Sequence, residues 1–277
     1  MSNVEGRLQK CILIGEPVEQ SLSPSMHNAG LHAVGLDDKF VYDRQKVTAD
    51  QLPLFLHECV ENDVRGLSVT TPLKELIVKH LDEVDSLAQK IGAVNTVVFE
   101  RGRSRGYNTD WWGVVGPLEE RGMITGKQVA LLGAGGAARA ALFGLLERSA
   151  TVTIFNRSYE KAQVIARQFG CDVMSWAHVE DLPMYDIVVN MTSVGLGEDK
   201  SPIPKECLRK GQVVVESIYH PRETRLLKLA REQGCQVVVG VEMLLYQGIA
   251  QFEYFTGTDA PVEVMRAALK ENIKQVH

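Results

Sequence analysis

Short apolar runs alternate along this chain with longer stretches in which apolar positions recur at helical spacing. The first run, 11–15, closes on Gly15, and a helical stretch opens at Ser23-Pro24. Residues 40–42 and 66–70 are further β-prone runs, with a helical pattern over 51–60 between them. Residues 95–99 and 103–107, joined through Glu100-Arg101-Gly102, predict a hairpin leading out of this region. A second series begins at Gln128, with strands predicted at 129–132, 151–155, 186–189, 213–215 and 236–239. An alanine-rich helix follows the first of these, and the segment 243–274 is helical by pattern, broken around 257–261. Strands alternating with helices predict parallel sheets built from βαβ units. The rhythm changes after Asp110, so two lobes are expected: 1–110 with 243–277, and 111–242. The tail has no strands of its own and is expected to pack on the first lobe, which has fewer helices.

Composition narrows the class. At 277 residues the chain suits two domains of about 100–200 residues each. Hydrophobic residues at 45% and charged residues at 23% match globular chains. A net charge of −5 argues against a general nucleic-acid binder, which carries a basic excess. No apolar run approaches the ~18 residues that span a bilayer. Residues 1–10 are polar and lack the apolar core of a secretion signal. Five cysteines stand singly with no Cys-x-x-Cys, which reads as free thiols in a reducing cytoplasm.

Gly133-Ala134-Gly135-Gly136-Ala137-Ala138 lies between a strand and a helix. Glycines there permit a tight turn and let backbone N–H groups approach a pyrophosphate at the positive end of the helix. The next strand ends at Asn156-Arg157, with Lys161 one helical turn on, where an NAD site has Asp or Glu for the ribose 2′-hydroxyl. A guanidinium binds a 2′-phosphate that a carboxylate would repel, so NADP is the expected cofactor.

In Thr70-Thr71-Pro72-Leu73-Lys74, Thr71 suits an N-cap and Pro72 the first helical position, putting Lys74 in the first turn. The dipole there, with any burial, would ease proton loss from Lys74. Asp110 precedes a predicted helix and suits its N-cap; a carboxylate near Lys74 would oppose that effect and poise the pair. Ser21 and Ser23 offer hydroxyls at a helix start, where capping accounts for Ser23. Asn95 and Gln247 place amides in apolar surroundings. This inventory suits a small polyhydroxylated substrate. His27 has no second ligand at metal spacing and reads as structural.

Taken together, these segments resemble the shikimate dehydrogenase family. The likeness rests on Gly15-Glu16-Pro17, Ser21-Leu22-Ser23-Pro24 and His27-Asn28, then Val69-Thr70-x-Pro72-x-Lys74 and Gly92-Ala93-Val94-Asn95-Thr96. It continues through Asn108-Thr109-Asp110, the glycine loop, Asn156-Arg157 and Asn190-x-Thr192-x-x-Gly195. Tyr219-x-Pro221-x-x-Thr224 and Gly240-x-x-Met243-Leu244-x-x-Gln247 complete it. The resemblance implies an α/β protein of two lobes, an N-terminal α/β substrate domain and a Rossmann-type NADP-binding domain with a cleft between them. It implies C-terminal helices returning to the first lobe, and NADPH-dependent reduction of 3-dehydroshikimate to shikimate.

It also implies Lys74 and Asp110 as the catalytic pair, with substrate contacts at Ser21, Ser23, Thr70, Asn95, Tyr219 and Gln247. Ser68 stands where the family commonly has Asn, with less reach toward substrate; Glu216 stands where it has Asp. Beside Gly133, Ala134, Gly135, Gly136, Ala137, Asn156, Arg157 and Lys161, the cofactor set takes in Thr192 and Gly240. The expected partners are a small-molecule substrate and no nucleic acid or membrane, with the chain a monomer or homodimer. Relatives acting on quinate share most of these motifs and some use NAD; Arg157 tilts toward NADP. A non-catalytic sensor would be expected to lose Lys74 or Asp110, and both are present.

Overall fold

The apolar runs become two six-stranded sheets in a computed structural model that describes residues 8–272. One compact unit runs up to Thr109 and resumes at Gln247; the other is Asp110–Tyr246.

The first unit starts β1 (Gln9–Gly15), α1 (Ser23–Ala33), β2 (Phe40–Lys46), α2 (Leu52–Glu61) and β3 (Gly66–Val69). Strand β1 pairs in parallel with both β2 and β3, and its Cys11–Ile14 side chains are buried, as a central parallel strand requires. Next come α3 (Leu73–Leu76), β4 (Glu83–Val84), α4 (Ser86–Ile91), β5 (Thr96–Glu100) and β6 (Arg103–Tyr107). Helix α4 is bounded by chemistry legible in the chain: Asp85 accepts from Leu87 N at 2.9 Å, and Gly92 ends it in the left-handed region.

Two expectations change here. The β5–β6 hairpin does not lead out of the region. It lies antiparallel against β3 and extends the sheet, in the order β2-β1-β3-β5-β6-β4. The free edge of β3 would otherwise leave unpaired backbone groups. Thr71 is not an N-cap either: α3 begins at Leu73 after a cis Thr71–Pro72 bond, with Pro72 at the cap. The Thr71 carbonyl instead accepts from Glu16 N at 2.9 Å, tying this turn to the loop after β1. Helix α3 is a single turn, so the dipole argument for Lys74 loses most of its force.

The second unit contains α5 (Asp110–Glu119), β7 (Gln128–Leu132), α6 (Gly136–Glu147), β8 (Thr151–Asn156), α7 (Tyr159–Phe169) and β9 (Asp172–Ser175). It continues with β10 (Ile187–Asn190), β11 (Val213–Glu216), α8 (Arg225–Glu232) and β12 (Gln236–Val238). Every pairing in its sheet is parallel, and the order is β12-β11-β10-β7-β8-β9. This is the doubly wound order, and the strand sequence reverses between β7 and β10, where such sheets bind ligands. The core is continuous Val, Ile, Leu and Ala from β7, β10 and β11 with α5 and α6.

Helix α9 (Gly240–Thr256) begins in the second unit and ends in the first, where α10 (Val262–Asn272) packs on α1. Phe255 of α9 lies over Gly66 so closely that a Cβ there would come within 2.4 Å of the ring. Phe252 and Phe255 are buried, each contributing about 2 kcal/mol of apolar burial. These contacts seat the tail on the first sheet.

Candidate functional site

Asn95 sits just before β5 in the first unit, 1% exposed, and its side chain is held on every side. Thr109 N donates to Asn95 Oδ1 at 2.7 Å, and Thr96 Oγ1 donates to the same oxygen at 2.8 Å. Asn95 Nδ2 donates to Thr109 Oγ1 at 3.0 Å and, at 3.5 Å, to Oε1 of the buried Gln247. Gln251, four residues along α9, donates through Nε2 to the Asn95 carbonyl at 3.0 Å and to Thr96 Oγ1 at 3.1 Å. Its Oε1 accepts from Ser68 Oγ at 2.8 Å, and Ser68 in turn accepts from Tyr42 Oη at 2.6 Å. One buried polar network thus joins β2, β3, the start of β5 and α9.

Ser21 and Ser23 meet at the start of α1. Ser21 Oγ accepts from Ser23 N and donates to Ser23 Oγ, both at 3.2 Å. The helix cap is Leu22, with no side-chain hydrogen bond, so Ser23 is the first helical residue and capping does not account for it. Thr70 is half-buried, and its carbonyl accepts from Leu73 N at 2.9 Å. Lys74 is half-buried on α3, and its carbonyl accepts from Val94 N at 2.8 Å, placing α3 beside the segment that carries Asn95.

In the second unit the glycine loop follows β7 at the strand-order reversal. Gly133 has φ +112°, and a Cβ there would come within 3.0 Å of the Met191 carbonyl after β10, so only glycine fits. Gly135 is the N-cap of the twelve-residue α6, and a Cβ on it would meet nothing within 4 Å. Gly136 and Ala137 form the first turn, and Ala134 is buried beneath. A glycine-shaped approach to the N–H groups of a long helix fits a dinucleotide pyrophosphate. At the end of β8, Asn156 Nδ2 donates to the Ser158 carbonyl at 2.9 Å, while Arg157 and Lys161 are exposed. Two cations and an amide there fit a 2′-phosphate.

A second buried network supports this unit. Thr192 N and Oγ1 donate to Asn190 Oδ1 at 3.1 and 2.8 Å, and Asn190 Nδ2 donates to Glu216 Oε1 at 2.9 Å. Glu216 also accepts from Ile218 N at 3.1 Å and from Thr224 Oγ1 at 2.9 Å. Burial pushes its carboxyl up to about 7, against the bonds donated by Ile218, Thr224, Asn190 and Ser217. Tyr219 is half-buried one residue beyond Ile218. Gly240 packs on the same turn, where a Cβ would come within 2.2 Å of the Ile218 carbonyl. Asp110 is 4% exposed and is the first residue of α5 rather than a cap before it.

Tyr42 and Gln251 lie outside the residues that sequence reasoning singled out, and Thr109 entered only within the Asn108-Thr109-Asp110 motif, with no role given to it. Gln251 left a signal, a second glutamine four residues from Gln247 and therefore on the same helix face. Burial pushes the Cys11 and Cys59 thiols up to about 12, and the remaining three also shift upward, which disfavours a thiolate nucleophile. Among the described residues no cluster of His, Cys, Asp and Glu could hold a metal ion, and no helix is long and apolar enough to cross a membrane. His27 is buried and stacks on Tyr42 with ring centroids 4.2 Å apart. Its Nε2 makes no hydrogen bond of good geometry, and burial pushes the imidazole down to about 3.

Three family models match the chain. A shikimate dehydrogenase substrate binding domain covers 13–97, shikimate / quinate 5-dehydrogenase covers 118–197, and a shikimate 5'-dehydrogenase C-terminal domain covers 240–270. Among curated relatives, the shikimate dehydrogenase (NADP(+)) of Haloarcula marismortui is 42% identical over 267 residues, 94% of this chain and 98% of that protein. A crystal structure of shikimate 5-dehydrogenase from Thermus thermophilus, in complex with NADP(H) and shikimate, superposes with a TM-score of 0.90. It is 35% identical, over 96% of this chain and 100% of that one. Quinate dehydrogenase from Corynebacterium glutamicum, in complex with NAD, superposes at 0.87 with 30% identity over 95% of this chain and 99% of that one.

Proposed function

The chain belongs to the shikimate dehydrogenase family, and from that footing we propose that it catalyses the reversible, NADP-dependent reduction of 3-dehydroshikimate to shikimate, a step of aromatic amino acid biosynthesis. One observation carries the cofactor and family reading together. The chain matches NADP-dependent relatives from end to end, and its second strand of the doubly wound sheet ends in Asn156-Arg157 in place of a carboxylate.

NADPH, when bound, supplies hydride to the ring carbonyl carbon. Lys74 gives a proton to the carbonyl oxygen in the reduction and takes it back in the oxidation. Asp110, its catalytic partner, orients Lys74 and holds a neighbouring substrate hydroxyl. Help of this general acid–base kind accounts for about 10²–10⁴ in rate. Ser21, Ser23, Thr70, Asn95, Tyr219 and Gln247 bind the remaining hydroxyls and the carboxylate. Their hydroxyl and amide groups match a small polyhydroxylated ring, and hydrogen bonding to each hydroxyl rejects analogues that lack it. Gly133 to Ala137 hold the pyrophosphate, with Thr192 and Gly240 lining the neighbouring turns, and Arg157, Lys161 and Asn156 hold the 2′-phosphate. The five free cysteines suit a cytoplasmic protein, and we place it there as a monomer or homodimer.

A second reading, quinate oxidation with NAD, draws on the likeness to the Corynebacterium glutamicum enzyme and on Ser68. The test crosses shikimate and quinate with NADP and NAD, following absorbance of the reduced nicotinamide. The highest kcat/KM is expected for shikimate with NADP. Preference for quinate with NAD would replace this reading with the second, and no turnover of any pair would end both.

A further inference from the structure

The polarity of the buried network in the first unit is set at both ends by backbone groups that have no alternative role. Thr109 N–H can only donate, so Asn95 must turn Oδ1 toward it and Nδ2 away. The Asn95 carbonyl can only accept. It takes Val69 N at 2.7 Å and Gln251 Nε2 at 3.0 Å, so Gln251 turns its amino group here and its oxygen toward Ser68. Ser68 therefore gives its one proton to Gln251, and Tyr42 gives its own to Ser68. Thr96 accepts from Gln251 and passes its proton to Asn95 Oδ1. Tyr42, Ser68, Gln251, Thr96 and the Asn95 amide are thereby each given one orientation.

We propose that Gln251, itself held by Ser68, is a positioning residue, which through the Asn95 carbonyl and Thr96 fixes the Asn95 amide with Nδ2 turned toward Thr109 Oγ1 and Gln247 Oε1, and so sets the Asn95–Gln247 pair for the substrate. The proposal rests on the shikimate reading above. It takes Ser68, 3% exposed with its proton committed inward, as a link in this network rather than a substrate contact. The shorter hydroxyl in place of asparagine then has a reason: it meets Tyr42 on one side and Gln251 on the other.

The experiment is a double-mutant cycle on Ser68→Ala and Gln251→Met, with steady-state constants for shikimate and NADP and thermal unfolding for each variant. Each single variant is expected to raise KM for shikimate by about five- to tenfold, the scale of one lost buried hydrogen bond. KM for NADP should stay within about twofold. The double variant should be no worse than the more damaging single one, because both act through one network. Ser68→Thr, which keeps the hydroxyl, should restore the wild-type KM. Gln251→Glu serves if Gln251→Met does not fold, since it keeps the oxygen facing Ser68 and loses the donors.

A wild-type KM for shikimate in folded Gln251 variants would overturn the proposal. So would single effects that multiply in the double variant, because Ser68 would then contact substrate independently. Equal rises in both KM values would also overturn it, as general disturbance. Failure of the wild-type enzyme to oxidise shikimate would instead strike the reaction itself and take this inference with it.

Discussion

Each lobe holds a buried polar network, and the two are built from different chemistry. In the first lobe, Tyr42, Ser68, Gln251, Thr96, Asn95 and Thr109 exchange hydrogen bonds among hydroxyls and amides, and none of the six carries a charge. In the second, Glu216 is the hub, accepting from Asn190, Ile218 and Thr224 at the ends of two adjacent strands. A neutral network fixes the direction of each donor. A carboxylate instead gathers donors around one point, and it brings a titration with it. His27, a buried titratable group of the first lobe, lies beside its network and shifts the opposite way from Glu216. On the function proposed above, the difference separates the orienting of the Asn95 amide from the anchoring of the loops that follow β10 and β11.

The largest effect that would break this division is on turnover. Lys74→Ala is expected to lower kcat by about 10²–10⁴ while KM for NADP stays near wild type. Steady-state kinetics with both substrates varied would show it, and a near-normal kcat would remove Lys74 from proton transfer. Next in size, Arg157→Ala should raise KM for NADP by about tenfold or more and leave that for NAD nearly unchanged, since only NADP carries the phosphate. Equal changes for the two cofactors would mean that Arg157 does not read the phosphate.

The smallest effect, in pH dependence of stability, sharpens the comparison most. Glu216 loses its proton near 4.5 when unfolded and near 7 when folded, so its contribution falls as pH rises through that interval. His27 behaves oppositely. Its folded value near 3 lies below the ordinary 6.5, so its contribution is full above 6.5 and is lost as pH falls toward 3. Denaturant midpoints measured across both intervals should show the alkaline-side loss disappear in Glu216→Gln. The acid-side loss should shrink in His27→Phe, which keeps a ring stacked on Tyr42. Each slope approaches about 1.4 kcal/mol per pH unit at most. Unchanged pH profiles in both variants would show that neither group differs between folded and unfolded states.

Much of this was legible in the chain because it depends on local rules. The strand–glycine–helix pattern at 129–147 reports a backbone requirement, and Gly133 with φ +112° meets it. Asn156-Arg157 was readable for the same reason: the end of β8 is a fixed place relative to the glycine loop in any doubly wound sheet. Thr71 misled because its carbonyl is held by Glu16, which is remote in sequence. Ser23 misled because Leu22 takes the cap position, leaving the hydroxyl to Ser21.

By itself, then, the order of apolar runs, glycines and isolated polar residues determined the α/β class, the family and the cofactor side of the chemistry. The class and the glycine loop follow from backbone sterics and periodicity, which act over a few residues at a time, whereas the family came from the resemblance carried by its motifs. Only the tertiary structure decided which polar groups meet. Ser68 and Gln251 are 183 residues apart in the chain, yet their side chains lie 2.8 Å apart. No local pattern encodes that approach, because it arises from α9 settling its phenylalanines on the first sheet. The donor directions of Tyr42, Ser68, Gln251 and Thr96 follow from the backbone groups of Asn95 and Thr109 meeting them there.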